Sequence, residues 1–163
     1  MPTAGLLQRT GNVIWVDAVF GDDASGAVDD PLHPYLTVGA ALTVALSGDT
    51  VQVRPGSYAE SITVGSGISL TGVGGPTQVL ITGGGGAVPS VDIGGGAYVH
   101  SIGATAPSGS SAFRFAGGSL AYAYNLMMTG TDATSIGFDF SSTSKIIITE
   151  LRYVGGTFDS LVD

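Results

Sequence analysis

The pattern of hydrophobic and polar positions changes character at Thr50. Before it, residues 12–20 are rich in aromatic and β-branched side chains, which predicts a β-strand. Apolar residues then recur three and four positions apart, which predicts a short amphipathic helix that Thr37 caps and Gly48 ends. The residues on the packed face of this helix are Val38, Ala41, Leu42, Ala45 and Leu46.

From Thr50 onward, short alternating runs are separated by glycine-rich turns. The runs are 50–53, 61–64, 68–72, 78–82, 90–93, 98–102, 112–115, 120–128, 136–140 and 145–154. No helical segment of 10–15 residues lies between them, which excludes a fold built from βαβ units. The sequence therefore predicts an all-β region of many short strands.

Two sets of short segments repeat within this region. Three apolar–charged–apolar triplets are centred on Asp92, Arg114 and Asp139, 22 and 25 residues apart. A second set, which begins at Val99, Ala123 and Ile148, repeats at 24 and 25 residues. A period near 23 residues with several strands per repeat predicts a β-solenoid, in which each coil pairs in parallel with the next at about 4.8 Å.

The segment from residue 14 to residue 73 carries a series of recognisable motifs. They are Trp15-Val16-Asp17, Gly21-Asp22-Asp23, Leu36-Thr37-Val38-Gly39-Ala40-Ala41 and Pro55-Gly56-Ser57-Tyr58-Ala59-Glu60. This segment resembles the N-terminal cap and first coil of the pectin-lyase-like right-handed parallel β-helix superfamily. In the turn from Pro55 to Glu60, we expect Gly56 to allow the bend, Tyr58 to pack and Glu60 to bind turn amides.

The resemblance and the repeats together predict a short right-handed parallel β-helix of about four to five coils with one N-terminal capping α-helix. Residues 1–12 are predicted to be an arm, residues 13–49 the N-terminal strand, acidic loop and helix, and residues 50–163 the coils. The catalytic motifs of pectin methylesterases and pectate lyases are not found in the chain. The resemblance therefore implies the fold without that chemistry.

Composition narrows the classes of function. Only 11% of the residues are charged, against roughly 25% in typical domains. The net charge of −8 and the lack of a basic stripe argue against nucleic-acid binding. The absence of cysteine excludes disulfides and thiolate metal sites. A mean hydropathy of +0.39 indicates a thoroughly buried core or a surface covered in an oligomer.

Targeting signals are not seen. The first residues lack the basic and apolar regions of a secretory signal, and no apolar run approaches the roughly 18 residues that cross a bilayer. We expect the chain to fold in the cytosol of a host cell, with no membrane partner.

Asp92, Arg114 and Asp139 are predicted to point outward on successive coils. The favoured interpretation is a ladder of alternating charges that stabilises neighbouring strands. The alternative is catalytic: two carboxylates roughly 9–10 Å apart, as in inverting glycosidases, with Arg114 binding a uronate carboxylate. A cation held between both carboxylates keeps them ionised, which disfavours a general acid.

His100, Tyr124 and Thr149 are predicted to stack on a second outward face. A surface ladder or subunit contact is the favoured interpretation, and binding of a sugar ring is the alternative.

The loop residues Asp22, Asp23, Asp29 and Asp30, with Asp17, are candidate Ca²⁺ ligands because calcium prefers several carboxylate oxygens. The favoured interpretation is that they cap turns, with no cofactor bound.

The last residues, Ser160 to Asp163, are predicted to start another coil that is not completed. An open end exposes apolar core and unpaired backbone, so Leu161 and Val162 are predicted to contact a partner chain.

Small, acidic, cysteine-free β-helices resemble phage capsid-decoration and tail proteins, which are commonly trimeric. We therefore predict a non-enzymatic structural virion protein that binds other subunits, as a homotrimer. The alternatives are a carbohydrate-binding or polysaccharide-degrading tailspike-type β-helix and a segment of a bacterial adhesin.

Overall fold

The computed structural model describes residues 11–116, 120–140, 146–153 and 160–162. One helix, α1 (Val38–Val44), lies among many short strands in this part of the chain. The strands are β1 (Val13–Val16), β2 (Thr50–Val53), β3 (Gly56–Tyr58), β4 (Ile62–Val64), β5 (Ser69–Gly72), β6 (Val79–Ile81), β7 (Val91–Gly94), β8 (Tyr98–His100), β9 (Gly103–Ala106), β10 (Ser111–Ala116), β11 (Ala121–Gly130), β12 (Ile136–Asp139), β13 (Ile146–Tyr153) and β14 (Ser160–Val162). The described helix is too short to cross a membrane.

The strands form the three faces of a parallel β-helix. Face A contains β1, β2, β5, β8 and the first halves of β11 and β13. Face B contains β3, β6, β9 and the second halves of β11 and β13. Face C contains β4, β7, β10, β12 and β14. Successive strands around A, B and C make five coils in the described chain, which confirms the predicted short parallel β-helix.

Long strands turn the corner between faces A and B without a break. Ser101, Asn125 and Glu150 occupy this corner on consecutive coils, with φ angles of 57°, 50° and 55°. Positive φ bends the backbone so that the next residues pair on face B, and Asn accepts this conformation better than most residues do. Asn125 Nδ2 also donates to Ser101 Oγ at 3.0 Å, which links two corners.

The core consists of inward side chains that stack along the helix axis. On face C, Phe113 is paired in register with Val91 on one side and Phe138 on the other. All three are at most 2% exposed, and the two phenyl centroids lie 5.6 Å apart. This register confirms the predicted stacking of the triplets. It is fixed because a shift of one residue would bury the charged middle positions.

The helix closes the first end of the stack by packing on β1, β2 and β4. Its N-cap is as predicted, since Thr37 Oγ1 accepts from the Ala40 N–H at 3.2 Å. The predicted end at Gly48 is wrong, because the chain becomes extended at Ala45. Asp49 then accepts from the Leu46 N–H at 2.8 Å, and Leu46 is 70% exposed instead of packed.

The first strand is also shorter than residues 12–20. It ends at Val16 because the Asp17 carboxylate accepts from the N–H groups of Val19 and Phe20, at 2.8 and 3.1 Å, and folds the chain into a turn. The side chains of Val19 and Phe20 are consequently 73% and 80% exposed.

Two strands, β3 and β9, are not predicted from the sequence, whereas β14 lies where the repeat predicts it. Ser160 pairs with Ile136, and Val162 pairs with Phe138. The segment β14 therefore pairs on face C one repeat after the triplet centred on Asp139, where the sequence places it. The predicted binding role of Leu161 and Val162 stays untested, because their side chains lie outside the described residues.

Candidate functional site

An exposed groove on face A runs along the helix axis, and we call it the aromatic groove. Two columns of outward side chains form its walls: Tyr98, Tyr122 and Ile147 in the first, and His100, Tyr124 and Thr149 in the second. Val99 and Ala123, which lie between the columns, form its floor. Strand alternation places residues i and i+2 on the same side of a sheet, so the columns stand about 7 Å apart.

The register confirms that His100, Tyr124 and Thr149 stack on successive coils. The residues of the first column are not among those predicted from the sequence. Its signal was available, since Tyr98 and Tyr122 each precede a predicted residue by two positions and therefore share its face.

The rings in each column are stacked nearly parallel. The centroids of Tyr98 and Tyr122 lie 4.6 Å apart with planes within 4°, and those of His100 and Tyr124 lie 4.8 Å apart with planes within 6°. Parallel planes in contact at roughly 3.5 Å must then be offset by about 3 Å. The offset leaves part of each ring face open, and Tyr98 and Tyr124 are 47% and 41% exposed.

Polar groups border the groove at its second column. A hydrogen bond to the Glu150 side chain, together with its negative charge, raises the pKa of Tyr124 above its ordinary value. His100 Nε2 lies 3.5 Å from Ser101 Oγ, which accepts from Asn125 Nδ2. The groove thus combines apolar walls with hydroxyl and imidazole groups at its rim.

Asp92, Arg114 and Asp139 stand in register on face C, as predicted. Arg114 Nε donates to Asp92 Oδ1 at 3.2 Å, and Arg114 Nη2 donates to Asp92 Oδ2. This hydrogen bond and the negative charges of both aspartates raise the pKa of Arg114. Because the guanidinium is already engaged with Asp92, it is poorly placed to hold a substrate carboxylate, and the geometry favours a structural ladder.

The acidic loop uses its carboxylates to hold the chain. Asp22 and Asp30 each accept from a backbone N–H two residues later, at 3.0 and 2.9 Å. Asp23 accepts from the Thr37 N–H at 2.9 Å, and Asp29 accepts from the Val13 N–H at 2.7 Å. Within the described ranges, no three His, Cys, Asp or Glu side chains gather closely enough to hold a metal ion. The calcium candidate gains no support from this arrangement.

The turn from Pro55 to Glu60 has a structural role, but Glu60 does not bind the turn amides as predicted. Tyr58 packs as predicted, at 4% exposure, and donates from its hydroxyl to the Arg54 carbonyl at 2.9 Å. Burial raises the pKa of Tyr58 to about 12. Glu60 binds the start of the helix and not the turn: its carboxylate accepts from the N–H groups of Val38 and Gly39, both at 2.8 Å.

No family model and no curated protein matches the chain. A solved structure, pectin methylesterase from carrot, is similar with a TM-score of 0.54 and 16% sequence identity. The match covers 96% of this chain and 65% of that chain. At this identity the likeness shows the fold, a pectin-lyase-like right-handed parallel β-helix, which confirms the fold that the sequence resemblance implied.

Proposed function

We propose that this chain is a binding β-helix whose aromatic groove holds a carbohydrate chain. The observation that carries the proposal is the pair of exposed, offset ring stacks that line one groove on face A. Ligand sites in proteins are concave, largely apolar and aromatic, with a few polar groups that orient the ligand. The groove has this composition.

The physical basis is the amphipathic surface of a sugar. Its C–H groups pack against aromatic faces, while its hydroxyls need hydrogen-bond partners. The open parts of the Tyr98 and Tyr124 rings supply the aromatic faces for the C–H groups. The hydroxyl of Thr149 and the imidazole of His100 supply hydrogen-bond partners for the sugar hydroxyls. Aromatic contacts are worth roughly 1 kcal/mol each beyond area burial. Because the groove is open and shallow, the affinity expected is modest.

The structural neighbour lends general support. It is named as an enzyme of pectin, which is a polysaccharide, and it shares the β-helix fold with this chain. Its activity is not carried over, because the pair of Asp92 and Arg114 is engaged in a ladder on another face. We therefore propose binding without cleavage.

A second candidate function is that of an assembly subunit, such as a homotrimeric component of a virion. The observation in its favour is the exposure of large apolar side chains at the end of the β-helix that α1 caps. Their exposed fractions are 70–84%, and they are Val19, Phe20, Leu32 and Leu46. Exposed apolar side chains favour contact with a protein surface. The virion location itself stays a prediction.

Calorimetric titration with a panel of oligosaccharides, together with light scattering, separates the two functions. Carbohydrate binding by a chain whose mass does not change supports the first proposal. A stable trimer that binds none of the sugars contradicts the first proposal and supports the second.

A further inference from the structure

We infer that the aromatic groove selects an uncharged glycan over a polyanionic one. This inference rests on the proposed function, since it concerns the class of carbohydrate that the same groove takes. Five of the six wall residues have side chains that cannot carry a positive charge, and the sixth is His100. Among the residues that the structure describes, no Lys or Arg lines the groove.

A polyanionic sugar needs cations at fixed positions. Uronate and sulfate groups are recognised by Arg and Lys, most effectively by paired hydrogen bonds. Of the three arginines that the structure describes, Arg54 is engaged with Asp17 and Arg114 with Asp92. Arg114 also lies on face C, which is a different side of the helix. Neither guanidinium is placed to reach a ligand on face A. The third, Arg152, is exposed and in register with Met127 on face B, outside the groove lining, and its charge acts on Tyr124 less strongly than that of Glu150.

The nearest carboxylate works against an anion. Glu150 is exposed at the corner beside the second column, and its side chain shares a hydrogen bond with the Tyr124 hydroxyl. A negative group on the ligand at this point meets a like charge, in addition to the repulsion from the net charge of −8. A neutral sugar meets neither effect and keeps its contacts with the rings.

The sharpest test uses a matched pair of ligands that differ only in charge. An oligogalacturonide and its full methyl ester share one sugar backbone, and both are titrated into the intact chain by calorimetry at low salt. The expected result is that the ester binds roughly tenfold more tightly, and that the gap narrows at high salt because screening removes the repulsion. Equal affinity, or tighter binding of the free acid, overturns the inference but leaves carbohydrate binding intact.

A variant of the neighbouring acid checks the cause. Glu150→Gln keeps an acceptor for the Tyr124 hydroxyl and removes the charge, so the ratio of the two affinities is expected to fall several-fold. An unchanged ratio overturns the role assigned to Glu150. If neither the ester nor a panel of neutral oligosaccharides binds at all, the proposed function fails together with the inference.

Discussion

Arg114 and Asp92 lie directly opposite each other on neighbouring coils, 22 residues apart in sequence, and share two hydrogen bonds. Arg114 is also in register with Asp139 on its other side. The side chains of Arg114 and Asp92 are 35% and 16% exposed. One cation between two carboxylates on adjacent strands relieves the repulsion that two like charges would create across the stack.

We expect Arg114→Met to lower the stability of the fold without affecting sugar binding. The pair is partly exposed, so its loss should cost about 1 kcal/mol, which is roughly a 2–4 °C fall in the thermal midpoint for a chain of this size. Thermal denaturation measures the loss of stability, and calorimetric titration measures whether sugar binding is unchanged. Loss of oligosaccharide binding at unchanged stability would contradict the structural role and point back to a site on face C.

The bond between Glu60 and the helix start is a second stability determinant. Two N–H groups of the first helical turn have no partner within the helix, and the carboxylate accepts from both. Glu60→Ala should cost about 2 kcal/mol in the free energy of unfolding. Glu60→Gln retains one good acceptor and should cost about half as much. Urea denaturation measures both, and an alanine variant as stable as the parent would refute the cap.

The ionisation of Asp132 should make the free energy of unfolding depend on pH. Hydrogen bonds from the Ser108 and Thr134 side chains lower its pKa to about 2 from the usual 3.8. Because the folded pKa lies below the unfolded one, the stabilisation is fully present above about pH 4 and is lost as the pH falls toward 2. Asp22 and Asp30 shift in the same direction, so the fold should weaken generally in this window.

The variant Asp132→Asn isolates that contribution. The difference in urea midpoint between the parent and the variant should be constant from pH 8 to pH 6 and should shrink as the pH falls from 4 to 2. A difference that stays the same down to pH 2 would show that ionisation of Asp132 does not stabilise the fold.

The register of the coils could be predicted from sequence because charge and burial act together. Placing Asp92, Arg114 and Asp139 outward forces their apolar neighbours inward, and only one alignment of the strands satisfies all three. The N-terminal cap could be predicted because its turns depend on short local motifs. The predicted fold class followed from these two signals.

The features that were missed depend on contacts far apart in sequence or on small residues. The end of α1 is set by Asp49, which also accepts from the Asn12 N–H at 2.7 Å, 37 residues away. The strand β9 is Gly-Ala-Thr-Ala and lacks the β-branched enrichment that marks a strand. Positive φ at Glu150 is not signalled by its residue type, because Glu rarely adopts this conformation.

The aromatic groove was only half predicted for a related reason. The repeat that aligns His100 with Tyr124 indicates only the second column, although the residues two positions earlier share its face. Tyr98 and Tyr122 form the other wall because β8 and β11 pair in parallel, in the same register that stacks His100 on Tyr124. Two columns together make a groove, whereas one column makes only a ladder.

Titration of a neutral oligosaccharide into the parent chain and three variants tests the central claim most directly. Tyr98→Ala and Tyr124→Ala each remove one exposed groove ring, while Phe20→Ala removes an exposed ring at the capped end as the matched control. We predict that each tyrosine variant weakens binding about fivefold, from a loss of roughly 1 kcal/mol, and that Phe20→Ala binds like the parent. Binding that survives both tyrosine substitutions, or no binding by the parent, would contradict the account.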